Sequence, residues 1–200
     1  MTITKATVDS DFPGARYRLD WAELCASGPL GNHQLEHALG SGDALYSLEN
    51  TSVNVDISGN RDVRISRRHP ALFDACFASG ESILLARNIV GRPAILLTFD
   101  QPVRSAGARV GVSAGQAISF WAHCSLLLDD GNWYPVSPAR KGRHEIGATG
   151  ARFMGGTAKG GLRIKAAWFD VLDLVAATQN MTAPSVDLAE VGIGDLYYVP

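Results

Sequence analysis

Three groups of residues in this chain have types and spacings that chemistry can use. The first is His33-Gln34-Leu35-Glu36-His37, which fits the H-x-x-E-H arrangement of inverted zinc peptidases. On a helix the two histidines lie one turn apart, so both imidazoles reach one zinc ion while Glu36 activates the bound water. The setting argues against that chemistry. Asn32 and Gly40 confine a helix here to about two turns, and the rest of the chain lacks the long helices that would bring a third ligand. His33, Glu36 and His37 are therefore expected not to form a catalytic zinc site.

The second group is His123-Cys124. A cysteine nucleophile needs its thiolate beside an imidazole, but neighbours on a strand point to opposite faces and form no dyad. Cys124 falls in register with Ile118, Phe120, Ala122 and Leu126, which makes it a core residue, while His123 shares the other face with Ser119, Trp121 and Ser125. The apolar face is complete without Trp121, so an exposed indole there calls for a ligand or a covering loop.

The third group extends the second. Leu162, Ile164, Ala166 and Trp168 alternate as another apolar face, leaving Arg163 and Lys165 opposite. With both strands in one sheet, Trp121, His123, Arg163 and Lys165 converge. A sugar ring needs this combination, because its C–H face stacks on indole while its hydroxyls take hydrogen-bond donors. Arg140-Lys141-Gly142-Arg143-His144 reads as a solvated loop able to meet an anionic ligand. The glycines from Gly147 to Gly161 do not match a phosphate-binding loop, since no Gly-Lys-Ser/Thr and no following helix appear.

The elements that must position these residues are mostly strands. Period-two runs bounded by Gly, Pro, Asp or Asn span Ser82 to Arg87, Ala94 to Phe99, Ala108 to Val112, Ala117 to Leu128, Trp133 to Val136, Ala151 to Met154, Leu162 to Phe169 and Val191 to Val199. Asp129-Asp130-Gly131-Asn132 is a hairpin loop between two of them. Upstream, Thr51 to Ile57 and the run through Val63 and Ile65 read as a hairpin about Gly59-Asn60. Short helices are expected from Asp20 to Leu24, from Asn32 to Leu39 and around His69-Pro70 to Cys76, within an otherwise irregular stretch over residues 1–50. The fold class is all-β, an antiparallel β-sandwich of jelly-roll type with one or two short helices in its N-terminal part. No repeat or linker divides residues 1–200, so one domain is expected.

Composition narrows the function. The 200 residues carry 18 Lys plus Arg against 20 Asp plus Glu, a net charge of −2 that offers no basic field to nucleic acid or an anionic membrane. A 46% hydrophobic content supplies a substantial core, and 21 Gly with nine Pro supply many turns. No run reaches the roughly 18 apolar residues of a membrane span. Met1 to Asp11 lacks the apolar centre of a signal peptide, so the chain reads as cytoplasmic as written, or extracellular if a leader was removed. Cys25, Cys76 and Cys124 are odd in number and widely spaced, which suits buried thiols better than a disulfide framework.

The second half resembles the β-jelly-roll domains related to galactose-binding and carbohydrate-binding modules of bacterial exported proteins. Leu97-Thr98-Phe99-Asp100-Gln101-Pro102-Val103 with Gly107 is similar to that family's "sF-x-x-P-V-x-x-x-G" corner, and Ile118 to Leu128 with Asp130-Gly131-Asn132 to the next strand and turn. Phe153-Met154-Gly155-Gly156 followed by Leu162-Arg163-Ile164 resembles a further strand pair, and Val191-Gly192-Ile193-Gly194-Asp195-Leu196 the closing "f-x-I-D-D-L" strand. The likeness covers roughly Ala94 to Pro200. It implies a glycan-binding or scaffold role without catalysis, and a structural calcium ion near Asp195, with Gly194 in place of a second acid. The expected partner is a glycan. The alternatives are a glycan hydrolase or lyase on the same fold, with acids such as Glu145, Asp170 and Asp173 converging, or a structural or assembly subunit.

Overall fold

Period-two alternation over most of the chain produces strands whose apolar sides close on one another. A computed structural model describes residues 2–14, 16–21, 36–39, 45–47, 50–56, 62–67, 77, 81–87, 94–113, 118–136, 140–144, 150–176 and 190–200. The N-terminal strands are β1 (Ile3–Ala6), β2 (Tyr17–Leu19), β3 (Glu36–Ala38), β4 (Leu45–Ser47), β5 (Ser52–Val55) and β6 (Val63–Arg67). Then come β7 (Ser82–Arg87), β8 (Ile95–Val103), β9 (Ser105–Ser113), β10 (Ile118–Leu128), β11 (Trp133–Pro135), β12 (Arg140–His144), β13 (Arg152–Ala158), β14 (Ile164–Ala176) and β15 (Glu190–Val199).

They form two antiparallel sheets. The first runs β1-β13-β9-β15-β7-β6-β3, with β2 also on β15, and the second runs β11-β10-β14-β8-β5-β4, with β12 also on β10. From β7 onward the chain crosses between sheets at every step except β10 to β12. It sets β7-β15-β9-β13 against β8-β14-β10 with β11 and β12 at the edge. This is the interleaved order of a jelly roll, in which two Greek keys nest. The strands before β7 lengthen the sheets: β1 covers β13, β6 and β3 extend from β7, and β5 and β4 extend from β8. The core between the sheets includes Val53, Ile65, Leu85, Leu97, Phe120, Phe169 and Ile193. Trp21 is fully buried among them and donates its indole N–H to the Gly194 carbonyl at 2.8 Å.

Several expectations are corrected. Asn32 to Leu39 is not a helix where it is described: Glu36, His37 and Ala38 pair with Ser66, Ile65 and Arg64 as β3. The period-two partner available in β6 outweighs the weak helical spacing. The strands β5 and β6 are not a hairpin, since β5 pairs with β4 and β8 in one sheet while β6 pairs with β3 and β7 in the other. The basic run is not a loop but β12, paired with β10 from Ile118↔His144 to Ala122↔Arg140. The helical element among the described residues is a 3-10 turn at Asp9–Asp11. The expected turn at His69 to Cys76 and all but the start of the one at Asp20 lie outside the described residues.

Candidate functional site

Strand β10 sorts its side chains as alternation requires. Phe120, Ala122, Cys124, Leu126 and Leu128 are buried in the core, and Trp121 on the opposite side is 40% exposed. Burial pushes the Cys124 thiol well up, which removes it as a nucleophile. Directly across on β14, Leu172 stands opposite Trp121, Asp170 opposite His123, Trp168 opposite Ser125 and Ala166 opposite Leu127. Residues directly opposite in an antiparallel pair share a face, so Trp168 belongs to the outer face with Trp121 and His123.

That placement overturns the sequence reading of β14. A register shift between Leu127 and Leu128, which pair with Ala166 and Ile164, makes Lys165 the extra residue of a bulge against β10, and alternation inverts there. Ile164 opposite Leu128 points inward, as do Ala167 opposite Leu126 and Phe169 opposite Cys124, while Trp168 turns outward.

The result is an aromatic row across three strands. Trp133 on β11 meets Trp168 edge to face at 6.1 Å between ring centroids, and Trp168 meets His123 the same way at 5.8 Å. Trp121 continues the row two residues along β10. Trp133 is 43% exposed, so both ends are open to solvent. From Trp121 to Leu127, the residue beside Trp133, the row spans about 20 Å at the rise of a strand. Polar groups line it. His123 Nε2 and Ser125 Oγ are hydrogen-bonded at 3.0 Å, and the Trp168 N–H donates to Asp170 Oδ2 at 3.3 Å. The Val171 amide fixes the other Asp170 oxygen at 2.8 Å. Burial lowers the His123 pKa, which favours a neutral ring at pH 7.

The row is held at its Trp133 end by the β10–β11 loop. Gly131 takes φ +84°, and its amide donates to the Leu128 carbonyl at 3.0 Å. Asp130 accepts from the Asn132 amide at 3.0 Å and from the Tyr134 hydroxyl at 2.7 Å. The hairpin expected at Asp129 to Asn132 is present.

Trp121 and His123 are thus together, but Arg163 is not with them. Its amide donates to Asp129 Oδ1 at 3.2 Å and its carbonyl accepts from the Asp129 amide at 2.9 Å, beyond the Ile164–Leu128 pair. Seven residues of strand separate that level from Trp121, about 23 Å. Lys165 is exposed at the bulge, towards the Trp133 end. Period-two reading of the sequence does not bring out Trp133 or Trp168. Trp133 begins a short strand where two residues of alternation decide nothing, and Trp168 is concealed by the bulge.

Asp195 lies on the other sheet. Its carboxylate is nearly buried and takes an ion pair from Arg18 Nε at 2.7 Å. Burial raises its pKa to about 6, opposed by Arg18 and reinforced by Asp20 and Glu81. Glu81 is itself paired with Arg109, and a Cβ at Gly194 would fall 2.6 Å from a Glu81 carboxylate oxygen. Glycine at 194 therefore makes room for Glu81. Calcium takes roughly six to eight oxygen ligands, yet among the described residues no group of three His, Cys, Asp or Glu side chains is arranged to hold a metal ion. Guanidinium groups already face both carboxylates, so this donor set does not fit a calcium ion. His33 lies outside the described residues, and Glu36 and His37 sit on strand β3, without the helical turn that the zinc arrangement requires.

No family model matches the chain, and no curated protein matches it. Among solved structures, the enzymatically active domain of bacteriophage CBA120 tailspike protein 4 is similar at 12% identity with a TM-score of 0.28. The match covers 77% of this chain and 20% of that one, so the chain spans about a fifth of the length of the protein it matches. At this level the likeness carries neither fold nor function to the chain.

Proposed function

We propose that this chain binds carbohydrate, without turning it over, along the outer face of the second sheet. One observation carries the reading: Trp121 and Trp133, 40% and 43% exposed, stand at the two ends of an outer-face line in which Trp133, Trp168 and His123 are in ring contact and Trp121 follows two residues along β10. A row about 20 Å long presents stacking surfaces to several sugar rings in succession. His123 and Lys165 supply polar groups beside it, and an open sheet face suits an extended glycan better than a small molecule that needs enclosure. A glycan-array screen with and without calcium, repeated with Trp121→Ala and Trp133→Ala, tests this. Loss of a stacked aromatic costs on the order of 1–3 kcal/mol by analogy with base stacking. Each variant should therefore bind roughly fivefold or more weakly with an unchanged melting temperature. Wild-type protein silent on every glycan would reject the proposal.

A second reading rests on the His123 Nε2–Ser125 Oγ contact of 3.0 Å with Asp170 directly opposite His123. Hydroxyl, neutral imidazole and carboxylate are the set an ester hydrolase would use. Ser125 is only 6% exposed, which disfavours attack on a polymeric substrate. Release of p-nitrophenol from p-nitrophenyl acetate, abolished by Ser125→Ala with glycan binding retained, would favour this reading over the first.

A further inference from the structure

We propose that the corner where β13 passes into β14 is a binding site for an oxyanion, separate from the aromatic row. A surface pocket of about 720 Å³ opens there, lined among others by Arg104, Lys159, Arg163, Thr4, Thr157 and Asp11. Its three cations form no ion pair with any acid among the described residues. Elsewhere in the molecule Arg16, Arg18, Arg64 and Arg109 all do.

The three come from two chain connections, β8–β9 for Arg104 and β13–β14 for Lys159 and Arg163, whose backbones are pinned. Arg104, between β8 and β9, donates its amide to the Val199 carbonyl at 2.7 Å and accepts from the Ala158 amide at 2.9 Å. Lys159 donates its amide to the Thr2 carbonyl at 2.9 Å, and Arg163 is tied to Asp129 at the β10–β11 loop. Between Lys159 and Arg163 the chain reverses through Gly160 and Gly161 at φ +68° and +82°, closed by the Leu162 amide on the Lys159 carbonyl at 3.3 Å. Two consecutive positive φ values are open to glycine at little cost, and a Cβ on either would meet only open space. The tight turn therefore serves to bring Lys159 and Arg163 to one rim.

The one acid of the lining, Asp11, is outnumbered by the three cations, and one of its oxygens is engaged within its own turn. Asp11 is held by the Thr7 amide at 2.6 Å, the Thr7 hydroxyl at 3.1 Å and the Val8 amide at 3.2 Å. Thr157 and Thr4 stand opposite each other in the β1–β13 ladder at the pocket wall, the Thr157 hydroxyl being bonded to the Ser105 hydroxyl at 2.9 Å. Two guanidinium forks with an ammonium suit a group with several oxygens, either a free phosphate or sulfate or the carboxylate of an acidic sugar. The surface here is concave and the backbones at its rim are fixed, so the three exposed side chains reach the pocket from held starting points.

The test is NMR titration of the Gly160 and Gly161 amides with inorganic phosphate, inorganic sulfate and trigalacturonate, at ionic strength held constant with sodium chloride. Saturable shifts at both glycines are expected with at least one probe. They should weaken at least tenfold in Arg104→Ala/Arg163→Ala and persist in Trp133→Ala. Saturation by the inorganic anions identifies a free oxyanion as the ligand, and saturation by trigalacturonate alone identifies a sugar carboxylate. Linear, unsaturated shifts with every probe, or equal affinity in the double variant, would overturn the proposal. If the double variant loses its fold, Lys159→Gln at the exposed turn decides the same question, with unchanged affinity counting against the site. Because Trp133→Ala is read separately, failure here leaves the aromatic reading standing, and the reverse.

Discussion

Trp133 and Trp168 meet edge to face at 88° across strand β10, although neither their strands nor their sequence positions adjoin. The contact bridges over Ser125 and Leu127, so β10 supplies the floor and its two neighbours supply the rings. Trp168 is the keystone, because it touches Trp133 on one side and His123 on the other. Trp168→Ala should therefore lower affinity for an extended oligosaccharide more than either Trp121→Ala or Trp133→Ala, each of which costs roughly 1–3 kcal/mol. Calorimetric titration of the three variants checks the order. Equal losses would mean that the rings act independently.

Asp195 should give the protein a pH-dependent component of stability. Its folded pKa of about 6 lies above the value of roughly 3.9 for a free carboxyl, so the folded state takes up the proton first as pH falls. The group's contribution to stability then rises as pH drops from about 6 towards 4, and above 6 its buried charge is a cost. Urea midpoints measured from pH 4 to 7.5 should show a flatter profile for Asp195→Asn than for the parent chain. Arg18→Ala, which removes the opposing cation, should move the window to higher pH.

Calcium should have no effect on the fold at this strand. With Arg18 on Asp195 and Arg109 on Glu81, a divalent ion would have to displace two cations from carboxylates they already neutralise. Thermal melts in excess chelator and in millimolar calcium are expected to coincide. A rise in melting temperature with calcium, lost in Asp195→Asn, would show that the ion pairs yield to the metal.

The sequence shows the strands of the second half well because one buried face imposes period two over many residues. Cys124 inward and Trp121 outward follow directly from the eleven residues of β10. It hides what one extra residue does: the bulge at Lys165 inverts Trp168, and no pattern in Ile164 to Phe169 marks it. It also hides partner choice, since β5 and β6 carry the same alternation yet enter different sheets. Glu36 to Ala38 and Arg140 to His144 become strands because an edge was available, a property of the assembled sheet rather than of the segment. The meeting of the pocket cations is hidden for the same reason, as Arg104 joins Lys159 and Arg163 only where the β8–β9 connection meets the β13–β14 turn.

The approach of β9 to β13 sets a last expectation. Gly107 and Gly155 are cross-strand partners, and a Cβ at Gly155 would lie 2.6 Å from both the Ala106 carbonyl oxygen and the Gly107 Cα. Both obstacles are backbone, so no rotamer change relieves them and the strands must separate. Gly155→Ala should cost about 1–3 kcal/mol as overpacking does, and more if the ladder breaks. Gly131 provides the contrast: its φ is +84° but nothing lies within 4 Å of a Cβ. Asn adopts that backbone region more readily than other non-glycine residues, so Gly131→Asn should be nearly neutral. Chemical denaturation of the two variants separates the causes. If Gly155→Ala proves as mild as Gly131→Asn, then β9 and β13 are not held as closely as their glycines imply.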